Sequence, residues 1–508
     1  MSENNPVKKA AGYWPWAVFL AAMAVRLVFI FGVTDPHNAG VWWYGDTYHR
    51  WQVAYLTREV GWSHGHRLWD LKGMEYFWGV VHPLLMNLLF TLTGRADIWL
   101  GRLLTATAGA GSAALLYLLG KRYWNQKMGL AVGFFAVFFP LGILNETSGS
   151  VEFLCFFFFL AGIWYWPKKP FFTGLLFALA AMTRADAWVL ALALLVFLVA
   201  FSGKLEKAVM AAISFLVPVV VYMKYLGDKT GNYIYPIYWN YLANAKGVWS
   251  NRPIPDAEEA AARPFFILFL ALFAAGVVWI LWRRRKNKEA LLLVFGFGYG
   301  AFIMGMMGLT SYLLSYEYWF WMIRFFVLPY TMAALVLAWG LFVWLPKRVR
   351  GQKGSMVGVG VWLGLILLTQ LAWQPVMARY KETVRIWEAT KRLGERMAQE
   401  NIKRNEKILI TAGAPELTYS LVRFGKIPGR QIAGMMYDPF YYMEGDPFAD
   451  WQTNRQVVYD WFRTENIRWI LMQTVEKKYD AMIGLEPENF EQVFDKYSLS
   501  YSLYRIKF

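Results

Sequence analysis

Residues 40–56 read GVWWYGDTYHRWQVAYL: a single carboxylate, Asp46, among Trp42, Trp43, Tyr44, Tyr48 and Trp51, with His49 and Arg50 behind it. A carboxylate can take a proton from an attacking hydroxyl. Histidine and arginine can hold an anion and offset charge on a leaving group. Other residues of these types follow. His82 opens VHPLLMNLLFTLTG. Glu146 and Glu152 flank the polar stretch NETSGS. Arg184 and Asp186 interrupt an otherwise apolar run, and Glu317 and Arg324 bracket an aromatic one. Each has a plainer reading. Asp46 can cap the following helix, His82 before Pro83 can mark a helix start, and Arg184 can simply pair with Asp186. Arg324 can anchor a helix end by snorkelling, and the Trp and Tyr residues can form an interfacial belt.

These residues are set in a chain of 508 residues that is 57% hydrophobic, 19% aromatic and only 17% charged. A soluble domain carries about 25% charged residues. Apolar runs of about 20 residues, the length that crosses a bilayer, recur from residue 14 to residue 373. The fold expected is therefore a polytopic α-helical membrane protein of about 11 spans, with juxtamembrane helices in the first outer loop and a C-terminal soluble α/β domain. The net charge of +17 does not indicate nucleic acid, because the basic residues sit in short segments between apolar runs. Alternate loops are basic: Lys8-Lys9, Lys121 to Lys127, Lys168-Lys169, Lys204 to Lys207, RRRKNK and PKRVRGQK. The positive-inside rule then puts the N-terminus in the cytoplasm and the C-terminal domain outside, in a cell membrane or, in a eukaryote, the endoplasmic reticulum. Residues 14–33 read as a retained anchor.

The run at 171–201 is long enough for one span, but Thr183-Arg184-Ala185-Asp186 lies at its middle. Two charges at the bilayer centre cost several kcal/mol, so two shorter helices joined at a wet tip are expected. The outer loop, residues 34–97, has helical spacing over TYHRWQVAYLTREVGW, read as a helix lying at the interface. VHPLLMNLLFTLTG reads as a second, shallow one. Domain 1–375 should be the transmembrane part and 376–508 the outer domain. There KILITAG, RWILMQT and YSLYRIKF read as strands, and PELTYSLVRFG and RQVVYDWFRTENI as helices, in a partly parallel sheet. Residues 437–451, YDPFYYMEGDPFADW, are its most unusual loop and are a candidate to reach the site.

Several chemistries are excluded. There is no phosphate-cradling glycine loop, no nucleophile elbow and no dinucleotide fingerprint. His64 and His66 have a spacing seen in metal sites, but there is no Cys partner and no HExxH, so no metal site is assigned. Cys155 stands alone, so no internal disulfide forms. What remains is one acid and several cations facing one compartment at headgroup depth. That set suits a lipid-linked sugar phosphate, whose anion lies at the surface and whose tail lies in the bilayer. A single Asp suffices for direct displacement with inversion; retention calls for a second carboxylate as nucleophile.

In these features the chain resembles the GT-C superfamily of membrane glycosyltransferases, which use polyprenyl-phosphate sugars. YGDTYHRW matches the acidic first-loop segment, VHPLLMNLLFTLTG the shallow helix, GRLLTATAGAGSAALLYLLGKRYW the following span, GLLFALAAMTRADAWVLALALL the hairpin and IRFFVLPY the late arginine. Protein mannosyltransferases, aminoarabinose transferases and cell-wall glycan transferases share this outline. The resemblance implies an inverting transferase moving a sugar, a hexose such as mannose, from a polyprenyl phosphate to a protein, lipid or glycan acceptor outside. It makes Asp46 the base and gives the donor phosphate to His82, Arg184 and Arg324. Trp43, Tyr44, His49, Asp186 and Glu317 are then candidates to shape the sugar and acceptor groove, and the outer domain binds or positions the acceptor. A histidine at position 82, where relatives carry lysine, implies pH-dependent phosphate binding. The YGDTYHRW segment has one Asp where some relatives carry paired acids, which leaves a divalent cation as the one cofactor open and requires none. Two rival readings are a transporter or flippase of a lipid-linked sugar and a ligase or polymerase using a diphosphate-linked donor. The hairpin has no counterpart in a second half, unlike repeat-built transporters.

Overall fold

The computed structural model describes residues 6–40, 45–61, 76, 78–239, 256–314, 319–349, 351–410, 415–433, 451–473 and 480–507. The chain divides into two compact units. One comprises residues 1–36, 77–81 and 102–378, the other 37–76, 82–101 and 379–508. Most of residues 34–97 thus belongs to the same unit as the C-terminal domain.

The first unit is helical. Among the described residues, six helices are long and apolar enough to cross a membrane, or seven if a bent pair is one span. The expected count of about 11 also includes apolar runs that form shorter helices here. These include Glu152–Tyr165, Pro170–Ala181 and Asp186–Phe201. At 1.5 Å per residue such helices reach about 18–24 Å, short of the ~30 Å hydrocarbon core. The protein is a multi-pass membrane protein, with exposed apolar side chains such as Leu20, Val196, Val221 and Leu367 along its helices.

The bent pair, Gln126–Phe138 and Pro140–Thr147, turns by 60°. Pro140 lacks an amide hydrogen, so carbonyls in the preceding turn lose helical partners. In a membrane they must find others. Arg26 supplies them: its Nη2 donates to the Ala136 carbonyl at 2.8 Å and its Nη1 to that of Val137 at 3.0 Å. Gln370 Nε2 donates to the Phe138 carbonyl at 3.0 Å. The Arg26 guanidinium also forms a buried ion pair with Glu146. Gly109 lies against that carboxylate, where a larger residue would displace it.

The second unit holds a five-stranded sheet in the order β2-β1-β3-β5-β4. The strands are β1 (Lys407–Ile410), β2 (Ile432–Ala433), β3 (Ile467–Gln473), β4 (Phe490–Tyr497) and β5 (Tyr501–Ile506). β1 pairs in parallel with β2 and β3, while β5 runs antiparallel to β3 and β4. The helix Trp451–Thr464 buries Val458, Trp461 and Phe462 against Leu409, Ile467 and Ile470. Six apolar residues of this kind, each contributing about 1.5–3 kcal/mol on burial, make a core independent of any membrane.

Candidate active site

The helix Gly45–Glu59 carries Asp46 in its first turn and Arg58 in its last, signs that match the helix dipole. Tyr48, Trp51, Gln52 and Tyr55 fall at the i, i+3, i+4, i+7 spacing of one face. That face packs on the helix Pro415–Arg423. Gln52 Nε2 donates to Thr418 Oγ1 at 2.7 Å, and the Trp51 ring meets Tyr419 edge-on at 4.8 Å. Trp51 Nε1 donates to the Ala96 carbonyl at 2.7 Å, and the Gly429 amide donates to the Tyr55 hydroxyl at 3.2 Å. His37 Nδ1 and the Tyr419 hydroxyl lie 2.6 Å apart. An interfacial helix would leave one side open; here Tyr48, Trp51, Val53, Ala54 and Leu56 are all buried. The sequence pattern identified the helix, but packing on the C-terminal unit buries it.

Asp46, His49 and Arg50, at i, i+3 and i+4, share another face. Asp46 and His49 are half-buried and Arg50 is buried. Burial lowers the His49 imidazole to about 4, opposed by the neighbouring Asp46 charge and reinforced by Arg50. His49 is therefore neutral at physiological pH.

His82 lies in the first turn of the helix Val81–Thr93, which at 13 residues is too short to span. The imidazole is fully buried and neither ring nitrogen has a hydrogen-bond partner among the described residues. Burial pushes it well below the ordinary histidine range, and the charge of Arg50 pushes it further the same way. A buried polar group without a partner costs about 1–3 kcal/mol and calls for an explanation. A buried N–H near the positive charge of Arg50 can hold an anion, in a medium that strengthens the interaction. The pH dependence expected of a histidine here is displaced, since the ring is neutral throughout the range near 7.

In the membrane unit, the hairpin breaks where the charges predicted it, between Pro170–Ala181 and Asp186–Phe201. Arg184 is shared by two carboxylates, Nη1 to Glu152 Oε1 at 2.7 Å and Nε to Asp186 Oδ1 at 2.8 Å. Ser150 donates to the other oxygen of Glu152. The Arg184–Asp186 pairing is thus present, with Glu152 added from 32 residues away. Residues 79–81 lie against this tip: Gly79, at φ +78°, leaves room for the carbonyls of Met182 and Thr183, and the Val81 amide donates to the Met182 carbonyl at 3.3 Å. Val81 immediately precedes His82 in the chain.

Trp43, Tyr44 and Glu317 lie outside the described residues, as do residues 437–450. Arg324 falls within the helix Trp319–Trp339. Among the described residues, no group of three or more His, Cys, Asp or Glu is placed to hold a metal ion.

Glu416 was not singled out by its sequence. PELT reads as an ordinary first-turn acid; burial, created by packing, lifts its carboxyl to about 7. Below pH 4.5 the folded and unfolded chains both carry the proton. Between 4.5 and 7 only the folded chain does, so stability falls as pH rises, by about 3 kcal/mol at ~1.4 kcal/mol per unit. His49 acts oppositely between 4 and 6.5, where only the unfolded chain is protonated. Glu416→Gln should remove the loss, so that thermal unfolding midpoints rise from pH 4.5 to 6.5 and the decline toward pH 7 disappears. An unchanged pH profile in this variant contradicts the assignment.

The fold is similar to that of ArnT over nearly the whole of both chains. ArnT from Cupriavidus metallidurans bound to undecaprenyl phosphate superposes with a TM-score of 0.55 at 13% identity, over 97% of this chain and 98% of that one. The apo form of the same protein gives 0.54 at 14% identity, covering 98% of each chain. The archaeal oligosaccharyltransferase AglB from Archaeoglobus fulgidus, in complex with an inhibitory peptide and a dolichol-phosphate, aligns over 95% of this chain and 73% of its own at 0.48 and 13% identity. No protein-family model matches the sequence, and no curated protein matches it.

Proposed function

We propose that the protein is an inverting glycosyltransferase that moves a sugar, a hexose such as mannose, from a polyprenyl phosphate to an extracytoplasmic protein, lipid or glycan acceptor. The observation that carries this reading is the buried imidazole of His82, without a hydrogen-bond partner among the described residues and near the charge of Arg50, on the unit that also presents Asp46. Asp46 takes the proton of the acceptor hydroxyl while its oxygen bonds to the anomeric carbon. The bond from that carbon to the phosphate oxygen breaks, and its electron pair leaves with the polyprenyl phosphate. His82 donates one N–H to the phosphate, and Arg50 offsets its charge. His49, neutral and next to Asp46 along the helix, is a hydrogen-bonding neighbour for the sugar or acceptor. Trp43, Tyr44 and Glu317 keep the roles in sugar and acceptor binding that the resemblance gives them.

Arg184 and Arg324 are further contacts for the donor phosphate in this proposal. Because Arg184 already serves Glu152 and Asp186, it must release one of them to do so. The phosphate is therefore assigned first to His82 and Arg50. The same fold in ArnT, which was solved with undecaprenyl phosphate, supports a lipid-phosphate donor.

The purified protein should transfer label from a polyprenyl-phosphate hexose to an acceptor, releasing free polyprenyl phosphate. Transfer from a diphosphate-linked oligosaccharide alone would favour the ligase reading, and vesicle uptake of the lipid-linked sugar without transfer would favour a flippase. His82→Ala should raise the donor KM by about tenfold, the worth of one charge-assisted hydrogen bond, while His82→Gln keeps a donor and loses less. In the wild type the donor KM should be flat from pH 6.5 to 8, because His82 does not titrate there. An equal KM in His82→Ala and wild type would remove His82 from the phosphate site.

A further inference from the structure

A groove of about 460 Å³ lies in the second unit, away from Asp46, at the C-terminal end of the helix Gly45–Glu59. Its charged residues are Arg58, Glu59, Arg95, Asp97 and Arg423. Both acids are matched: Arg423 Nε pairs with Asp97 at 2.9 Å, and Arg58 Nη2 with Glu59 at 3.2 Å. Arg95 is exposed, and its guanidinium has no ion pair or hydrogen bond among the described residues. The groove therefore holds one surplus positive charge, centred on Arg95.

Arg95 follows the helix Val81–Thr93 by two residues. That helix exposes Leu84, Leu88 and Leu92, 40%, 52% and 73% accessible. They stand four apart, a single stripe along one side. At 1.5 Å per residue the stripe is about 12 Å long, close to the ~15 Å depth of one leaflet's hydrocarbon. Arg58 links the two features, its guanidinium lying 6.0 Å from the ring centre of Phe90 on the same helix.

We infer that this groove binds the phosphate headgroup of an anionic membrane lipid, whose acyl chains lie along the Leu84–Leu88–Leu92 stripe. Charge and shape both favour that occupant. One surplus cation matches one phosphodiester, and the apolar stripe begins where the charged groove ends, as a lipid does. A free phosphate would have no use for the leucines, and an acidic peptide would not need an apolar stripe of leaflet depth. The site is separate from the proposed sugar transfer and does not depend on it.

The test uses the full chain reconstituted in nanodiscs of equal parts phosphatidylglycerol and phosphatidylcholine. After mild detergent extraction, the lipid retained on the protein is counted by mass spectrometry. Wild type should retain phosphatidylglycerol preferentially. Arg95→Ala should lower that preference by about fivefold, the worth of one basic residue near an anionic surface, and Arg95→Lys should keep most of it. Leu88→Ser should weaken retention while Arg95 stays in place. Arg95 is exposed, so its variants should unfold at the wild-type temperature. An unchanged preference in Arg95→Ala overturns the proposal. So does loss of retention on adding inorganic phosphate with no effect of Leu88→Ser, which would mean a free-anion site.

Discussion

Asp46→Asn is expected to lower kcat for sugar transfer by about 10²–10⁴-fold, the range for removing a general base, with the thermal unfolding midpoint unchanged. The substitution preserves shape, and Asn serves as well as Asp at the start of a helix. The residue is half-buried in the first turn of a helix whose place is fixed from another face. Trp51 against Tyr419, and Gln52 donating to Thr418, hold that helix without Asp46. A merely structural Asp46 predicts a different outcome: a stability loss of no more than about 1 kcal/mol and full turnover in whatever protein remains folded. The measurement is transfer of label from a polyprenyl-phosphate hexose, corrected for folded protein. Donor KM should change little, because the phosphate contacts are assigned to His82 and Arg50. Full activity in Asp46→Asn would end the catalytic proposal.

The second large effect is on folding. Arg26→Leu should destabilise the membrane unit by about 3–5 kcal/mol, the cost of leaving a buried charge without its partner. Arg26 is completely buried and has four partners: the carboxylate of Glu146 and the carbonyls of Ala22, Ala136 and Val137. Two of those carbonyls lie in the turn that Pro140 interrupts, so the variant loses an ion pair and reopens a broken helix in one step. Adding Glu146→Leu should recover part of the loss, because it removes the isolated carboxylate, but not all of it, because the carbonyls stay open. The two substitutions should therefore be strongly non-additive. The readout is the thermal midpoint in detergent, with yield of folded protein as the cross-check. A single variant as stable as wild type would show that the pair does not hold the bend.

The sequence alone identified those features that depend on near neighbours in the chain. Continuous apolar runs became helices, the charges at 183–186 split the hairpin, a short apolar run at 467–473 became strand β3, and alternating residues at 501–506 became β5. Each is a local effect of spacing, set within about ten residues by the 3.6- and 2-residue periods. Asp46, His49 and Arg50 share a face for the same reason. The partners were a matter for the tertiary structure. It brought Glu152 to Arg184, placed Arg26 over the carbonyls freed by Pro140, and buried the Asp46 helix on residues 415–423. It also buried His82 with no hydrogen-bond partner among the described residues and raised Glu416 toward neutrality. Burial and desolvation depend on what lies alongside from distant parts of the chain. Local periodicity states which side of a helix is apolar, but not what will cover it.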